Sequence, residues 1–274
     1  MSFSYFRTLS PLMIKKNIPN LFTLGNLFCG CVAIVFAFGG NLVWSAYMVG
    51  ICCVFDFLDG LVARALNVHS EIGKQLDSLA DMVSFGVVPG VIMFELIKFT
   101  FLFNGQEEKL GLSGREFLVH NYFEEIFPYI GFVVTIFSAI RLAKFNLDER
   151  QTNSFIGLPT PANAIFISSL PLLIMGPFAI INAEGFITHN LIYLMNLYSL
   201  IGITVISSFL LVSSLPLFAL KFKNFLWADN KVRYVFLLLS LALLIIFKFA
   251  GIPLIIILYI ILSIINNIIT KKSS

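Results

Sequence analysis

From Asn17 to Phe55 the chain carries no Asp, Glu, Lys or Arg, and from Phe249 to Thr270 it again carries none. Apolar runs of about 20 residues recur along the chain, the length of helix that crosses ~30 Å of hydrocarbon. Backbone in hydrocarbon must satisfy its N–H and C=O groups internally, which a helix does within one segment. Composition points the same way: 58% of residues are hydrophobic, 12% are charged and mean hydropathy is +0.93. Soluble domains carry about 25% charged residues. The expected fold is all-α, a polytopic membrane helix bundle forming one integral-membrane domain over 1–274. About eight transmembrane helices are expected, near 20–40, 43–67, 72–102, 127–146, 160–182, 190–213, 232–248 and 252–269. The third is long for one span and is expected to protrude at one end. Pro161, Pro171, Gly176 and Pro177 predict a kink or break in the fifth.

Lys and Arg set the orientation, because they concentrate on the cytoplasmic side of membrane spans. With the N-terminus inside and spans alternating, fourteen of the 18 Lys and Arg face the cytoplasm. The other four are Lys98, Lys109, Arg115 and Lys248. Both termini are therefore expected in the cytoplasm. The net charge of +3 reflects this topology, and no basic patch with interleaved aromatics suggests nucleic-acid binding. The early stretch "YFRTLSPLMIKKNIP" reads as an N-terminal interfacial segment, with Pro11 limiting any helix. "LPLFALKFKNFLW" (215–227) reads as a second surface element. Lys15 and Lys16 precede an apolar run without a small-residue cleavage site, so the first span is expected to be retained.

Against this background, "DFLDGLVARALNVHSEIGKQLDSLAD" places Asp56, Asp59, Asp77 and Asp81 inside apolar surroundings. A carboxylate in a membrane span is costly and marks function by default. Asp56, Asp59, Gly60 and Ala63 fall at i, i+3, i+4 and i+7, one face of a helix. Gly73, Asp77 and Asp81 follow i, i+4, i+8 on the next helix. A turn near Asn67–Ser70 makes the two helices antiparallel. At 1.5 Å per residue, Asp56 and Asp81 then lie roughly 18 and 17 Å from that turn, and Asp59 and Asp77 roughly 13 and 11 Å. All four carboxylates reach similar depth, while Gly60, Ala63 and Gly73 leave room on the same face. Carboxylates this close repel unless cations stand between them. Hard oxygen ligands suit Mg²⁺ or Mn²⁺, and two such ions are a recurrent device for displacement at phosphorus. Arg64, nearer the turn, has the fork that grips a phosphate. A purely structural ionic network is the competing reading, but the bases nearby are too few to neutralise four acids.

Cysteines and histidines add little. Cys29, Cys31, Cys52 and Cys53 lie within apolar spans, and their spacing lacks the partners of a zinc site. His69, His120 and His189 are isolated. Glu95 and Lys98 are an i, i+3 pair of structural character.

The pattern Asp56-x2-Asp59-Gly60-x2-Ala63-Arg64-x8-Gly73-x3-Asp77-x3-Asp81 resembles, position for position, the signature of the CDP-alcohol phosphatidyltransferases. "NIPNLFTLGNLFCG" (17–30), "DSLADMVSFGVVPG" (77–90), "RLAKFN" (141–146) and "FIGLPTPANA" (155–164) resemble its phosphatidylserine synthase branch. The resemblance covers about 15–215, the expected catalytic core, and leaves the two spans within 232–269 without a usable motif. The outer loop 103–126 looks like an addition, and Lys144 stands where the branch has Arg.

The resemblance implies transfer of a phosphatidyl group from CDP-diacylglycerol to L-serine, giving phosphatidylserine and CMP. It implies two Mg²⁺ or Mn²⁺ ions on Asp56, Asp59, Asp77 and Asp81, with Asp81 also the general base. It puts Asn20, Thr23, Gly60, Ala63, Arg64 and Gly73 at the CDP-diacylglycerol site. Asn20 as a plain helix cap after Pro19 is the alternative for that residue. Arg141 and Lys144 are the candidates for serine's carboxylate or the donor phosphate, against simple anchoring at the inner face. The implied setting is a bacterial-type inner membrane, with a homodimer in the bilayer and a cytoplasmic active site. Two other functions compete. One is the same chemistry with glycerol 3-phosphate or an inositol phosphate as acceptor. The other is a cation transporter, whose site would be expected at the midplane between repeated halves, and no repeat is visible.

Overall fold

The computed structural model describes residues 11–68, 70–108, 125–147, 154–175, 196–218 and 226–273. The described chain is all-α apart from one short ribbon. Helix α1 (Pro11–Phe38) takes Pro11 as its first residue, a position where the missing N–H costs nothing. The expected interfacial stretch therefore runs, from Pro11 onward, straight into the first span, and residues 1–10 lie outside the described residues. Helix α2 (Leu42–Ala65) starts at Asn41, whose side chain accepts from the Trp44 N–H. The α1–α2 hairpin is closed by aromatic contacts, Phe22 on Phe55 and Phe36 on Trp44.

Helix α2 ends where expected, and Asn67 turns the chain with φ 52°. Ser70 then caps α3 (Glu71–Asp81) by accepting from the Gly73 N–H at 3.2 Å. The helix continues without a break through a π-helical turn, Met82–Val87, into α4 (Val88–Glu108). The π turn has a physical origin. Pro89, second in α4, has no N–H to return to the preceding turn, and the wider turn relieves the mismatch. The Gly86 carbonyl within it accepts from Thr135 Oγ1 at 3.0 Å. The helix runs on to Glu108, past the apolar stretch Glu71–Phe101. Residues 109–124, most of the outer loop, lie outside the described residues.

That long helix is the hub. Of its apolar stretch, 61% is buried within the protein, against at most 28% for the other long apolar helices. Phe85, Val88, Val91, Ile92, Met93, Leu96 and Ile97 form the centre of the core. A 3-10 turn, Phe127–Phe132, leads into α5 (Val133–Leu147), with Phe132 stacked on Phe94 at 5.5 Å. Strand β1 (Ser154–Ile156) precedes α6 (Thr160–Met175), and α7 (Leu197–Val212) precedes β2 (Pro216–Phe218). The strands pair antiparallel, with Phe155 opposite Leu217. Gly157 follows β1 with φ 77°, and a Cβ there would sit 2.7 Å from the Leu211 carbonyl oxygen, so the ribbon needs glycine. Helix α6 retains Pro171, while Gly176 and Pro177 lie outside the described residues. The expected surface element at 215–227 is β2 at its start, with 219–225 outside the described residues.

Helices α8 (Trp227–Phe247) and α9 (Gly251–Ser273) fold back on each other at Lys248, where φ is 51°. Phe236 and Tyr259 pack at 5.6 Å across this hairpin. Tyr259 and Asn267 donate to the carbonyls of Phe218 and Pro216, fastening α9 to the ribbon. Among the described residues, five stretches are long and apolar enough to cross a membrane: Asn17–Phe38, Leu42–Ala65, Glu71–Phe101, Phe127–Leu147 and Asn230–Ile269. The last contains the hairpin. Thr160–Leu173 and Leu197–Val212 are apolar but shorter.

Candidate active site

The turn between α2 and α3 places three carboxylates together. One oxygen from each of Asp56, Asp59 and Asp77 lies within 4.8 Å of the other two. Asp59 is buried, while Asp56 and Asp77 are half-buried. Asp59 and Asp77 differ in how they are held. Thr23 Oγ1 on α1 donates to Asp59 Oδ2 at 2.7 Å. Asp77 Oδ1 is buried and has no hydrogen-bond partner. The Lys98–Glu95 ion pair, at 3.5 Å, is the structural pair expected from the sequence and lies away from this cluster. Among the described residues, no ion pair neutralises the three aspartates. Hard oxygen donors, mutual proximity and an orphaned buried carboxylate oxygen fit a divalent cation of the Mg²⁺ or Mn²⁺ class.

Asp81 stands one turn beyond Asp77, outside the group of three. Its Oδ1 accepts from Asn26 Nδ2 at 3.3 Å. Asn26 is fully buried on α1, one turn beyond Thr23. Sequence reading missed it. The available signal was its place on the same α1 stretch as Asn20 and Thr23, at steps of three.

Beside the carboxylates lies a cavity of about 240 Å³, lined by Pro19, Asn20, Thr23, Asp59, Gly60, Ala63, Val68, Ser70, Gly73, Lys74 and Asp77. Five of the six residues expected at the donor site line it: Asn20, Thr23, Gly60, Ala63 and Gly73. The sixth, Arg64, is exposed and folds back along α2, its Nε donating to the Gly60 carbonyl at 2.9 Å. Gly73 is there for space, since a Cβ on it would come 2.9 Å from Asn20 Oδ1. Asn20 accordingly sits across the cavity from α3, and its Nδ2 is 3.4 Å from Asn17 Oδ1. Lys74 is a further lining cation that sequence reading passed over, three residues before Asp77 on the same helix.

Arg141 and Lys144 do not line this cavity. Arg141 is 4% exposed, its Nε donates to the Leu158 carbonyl at 3.4 Å and its guanidinium lies 5.6 Å from the Phe145 ring. Lys144 is exposed. The same end of α5 reaches the aspartate helix by another route: Asn146 Nδ2 donates to Ser78 Oγ at 2.9 Å, next to Asp77.

Comparison with known proteins agrees with this geometry. The family described as CDP-alcohol phosphatidyltransferase matches residues 16–268. A CDP-diacylglycerol–serine O-phosphatidyltransferase of Helicobacter pylori (strain J99) is 34% identical over 157 residues, 57% of this chain and 57% of the relative. The enzyme of that name from Methanocaldococcus jannaschii is 31% identical, over 69% of this chain and 71% of the relative. An archaetidylserine synthase of Methanothermobacter thermautotrophicus is 28% identical, over 57% of this chain and 58% of the relative. The chain thus spans less than two thirds of the length of the Helicobacter relative.

Proposed function

The chain belongs to the CDP-alcohol phosphatidyltransferase family, and from that premise we propose that it transfers a phosphatidyl group from CDP-diacylglycerol to L-serine. The observation that carries the reading is the meeting of Asp56, Asp59 and Asp77 beside a cavity kept open by Gly60, Ala63 and Gly73. The names of all three relatives contain serine, two as the acceptor for CDP-diacylglycerol and one as part of archaetidylserine, which favours serine as acceptor.

In this reading Asp56, Asp59 and Asp77 hold the metal, with Asp81 contributing to a second ion. Divalent ions held by these carboxylates would supply charge neutralisation for the displacement at phosphorus. Gly60, Ala63 and Gly73 admit the nucleotide end of the donor, Asn20 and Thr23 border it, and Arg64 meets a phosphate. Asp81 accepts the proton of serine's hydroxyl. That oxygen forms a bond to the phosphatidyl phosphorus as the bond to the CMP oxygen breaks, and CMP leaves with the electron pair. The nearby hydroxyl and thiol groups are engaged elsewhere: Ser70 Oγ caps α3, Thr23 Oγ1 donates to Asp59 and Cys52 Sγ donates to the Asn26 carbonyl, which favours one direct displacement over a covalent enzyme intermediate. Arg141 is assigned to serine's carboxylate, with the guanidinium plane set by the Leu158 carbonyl and Phe145. Lys144 serves as a nearby point charge.

The eight apolar helices α1, α2, α3–α4, α5, α6, α7, α8 and α9 would each cross the bilayer of a cytoplasmic membrane. Both termini and the α2–α3 turn would lie on the cytoplasmic side, an orientation that the Lys and Arg distribution supports. Family resemblance supports a homodimer. The test is direct: purified protein is given CDP-diacylglycerol, Mg²⁺ or Mn²⁺, and serine, glycerol 3-phosphate or an inositol phosphate, and the lipid product is identified. Phosphatidylserine with equimolar CMP supports the reading. A different lipid reassigns the acceptor, and no CMP release with any acceptor removes the enzyme reading.

A further inference from the structure

We propose that Asn26 is a positioning residue that fixes the Asp81 carboxylate for its work at the site, an assignment that rests on the role given to Asp81 above. Asn26 is 0% exposed, in the middle of an apolar helix, where a carboxamide is expensive unless its polar atoms are used. Its Nδ2 faces Asp81 Oδ1 at 3.3 Å. Its own Oδ1 is buried without a hydrogen-bond partner, so the end of the amide that is used is the one turned to Asp81. The amide contributes a donor without adding charge to a crowded acidic site. It occupies one oxygen of Asp81 and leaves the other for substrate or metal.

The backbone of Asn26 is clamped as firmly as its side chain is aimed. Its carbonyl accepts from Ser84 Oγ at 3.1 Å and from Cys52 Sγ at 3.4 Å. Ser84 lies in the π turn directly after Asp81, and Cys52 lies on α2, one turn before Asp56. One residue of α1 is thus tied to both aspartate-bearing helices. Gly30, one turn farther along α1, lets the π turn approach, since a Cβ there would lie 3.2 Å from Ser84 Cα. A structural polar contact would need only one of these bonds. The convergence on Asn26 holds the separation of Asp81 from Asp56 by a path that does not pass through the α2–α3 turn.

The test measures Asn26→Leu and Asn26→Ser by steady-state kinetics, Mn²⁺ binding by EPR titration, and thermal stability, each also in an Asp81→Asn background. Partners of this outer kind contribute about 10–100-fold in activity or metal affinity. The expected result is a kcat lowered by about that factor in Asn26→Leu, with KM for both substrates within about twofold. Asn26→Ser, which keeps a small donor, is expected to recover part of the loss. Mn²⁺ affinity should fall in Asn26→Leu and show no further fall when Asp81 is already Asn. A kcat unchanged in Asn26→Leu, or an Mn²⁺ effect that persists in full without the Asp81 carboxylate, overturns the proposal. If Asn26→Leu does not fold, Asn26→Ser carries the same comparison. If the wild-type protein releases no CMP, the proposed reaction fails, and the Mn²⁺ cycle still decides whether Asn26 acts through Asp81.

Discussion

Thr23 Oγ1 donates to Asp59 Oδ2 across 2.7 Å, joining α1 to α2 at the edge of the cavity. Both residues are nearly buried, so the bond is shielded from competing water. Thr23→Val keeps the shape and deletes the donor. A hydrogen bond to a charged group contributes about 1.5–3 kcal/mol. Mn²⁺ affinity should therefore fall by roughly ten- to a hundredfold, at about 1.4 kcal/mol per decade. Thr23→Ser should restore most of it. EPR titration of the three proteins checks this, and equal affinities would show that Asp59 needs no help from α1.

The three converging carboxylates predict full metal dependence. Activity should vanish in EDTA and return with Mg²⁺ or Mn²⁺. Asp56→Asn, Asp59→Asn and Asp77→Asn should each remove nearly all turnover, because the amide keeps the volume and loses the charge that binds the ion. Asp81→Asn should differ in kind. Loss of a general base costs about 10²–10⁴-fold in rate, while CDP-diacylglycerol binding persists. Turnover in chelator equal to that in Mg²⁺ would rule out the mechanism.

The aspartates were legible in the sequence because charge in an apolar run has few structural uses, and because 3.6-residue periodicity puts Asp56, Asp59 and Gly60 on one face. The turn near Asn67–Ser70 was legible for a similar reason, since polar residues there interrupt two periodic segments. Asn26 was not. A lone polar residue in a first span is commonplace, and its partner is fixed by how the π turn seats on α1, which no local pattern encodes. The surroundings of Arg141 were hidden for another reason. They depend on the β1–β2 ribbon, which pairs Phe155 with Leu217 across α6 and α7 and delivers the Leu158 carbonyl to α5. Such pairings have no periodic signature in three-residue strands. The hydrophobic pattern identified both α8 and α9, and their packing as a hairpin followed from the reversal at Lys248.

Two glycines offer a separation of function from stability. Gly73→Ala puts a methyl 2.9 Å from Asn20 Oδ1, inside the cavity proposed for the donor. Asn20 can swing aside, so the fold should survive while KM for CDP-diacylglycerol rises severalfold. Gly30→Ala instead drives a methyl onto Ser84, 2.5 Å from its Oγ and 3.2 Å from its Cα, so the hydroxyl must leave the Asn26 carbonyl and the backbone must also give. Overpacking of this kind costs about 1–3 kcal/mol. The expected outcome is a lowered Tm in detergent for Gly30→Ala and a near-native Tm for Gly73→Ala. The reverse pattern would place the nucleotide elsewhere.

Acceptor choice turns on Arg141. Serine is distinguished from ethanolamine by its carboxylate, and a cation must meet that group near the aspartates. Arg141 is buried, and its guanidinium is oriented by the Leu158 carbonyl and the Phe145 ring. A fixed, planar fork suits two carboxylate oxygens, which a lysine ammonium cannot pair at once. Arg141→Lys keeps the charge and loses the fork, so it should raise KM for serine more than KM for CDP-diacylglycerol. Charge-assisted contacts contribute about 1.5–3 kcal/mol, which sets the expected rise at roughly ten- to a hundredfold. Lys144→Ala, removing an exposed point charge, should change either KM by less. Ethanolamine supplies the control: its use as acceptor, if measurable, should be indifferent to Arg141→Lys. If Arg141→Lys weakens only CDP-diacylglycerol binding, Arg141 meets the donor phosphate. If it lowers Tm and leaves both KM values alone, its work is to hold the Leu158 corner beneath α6.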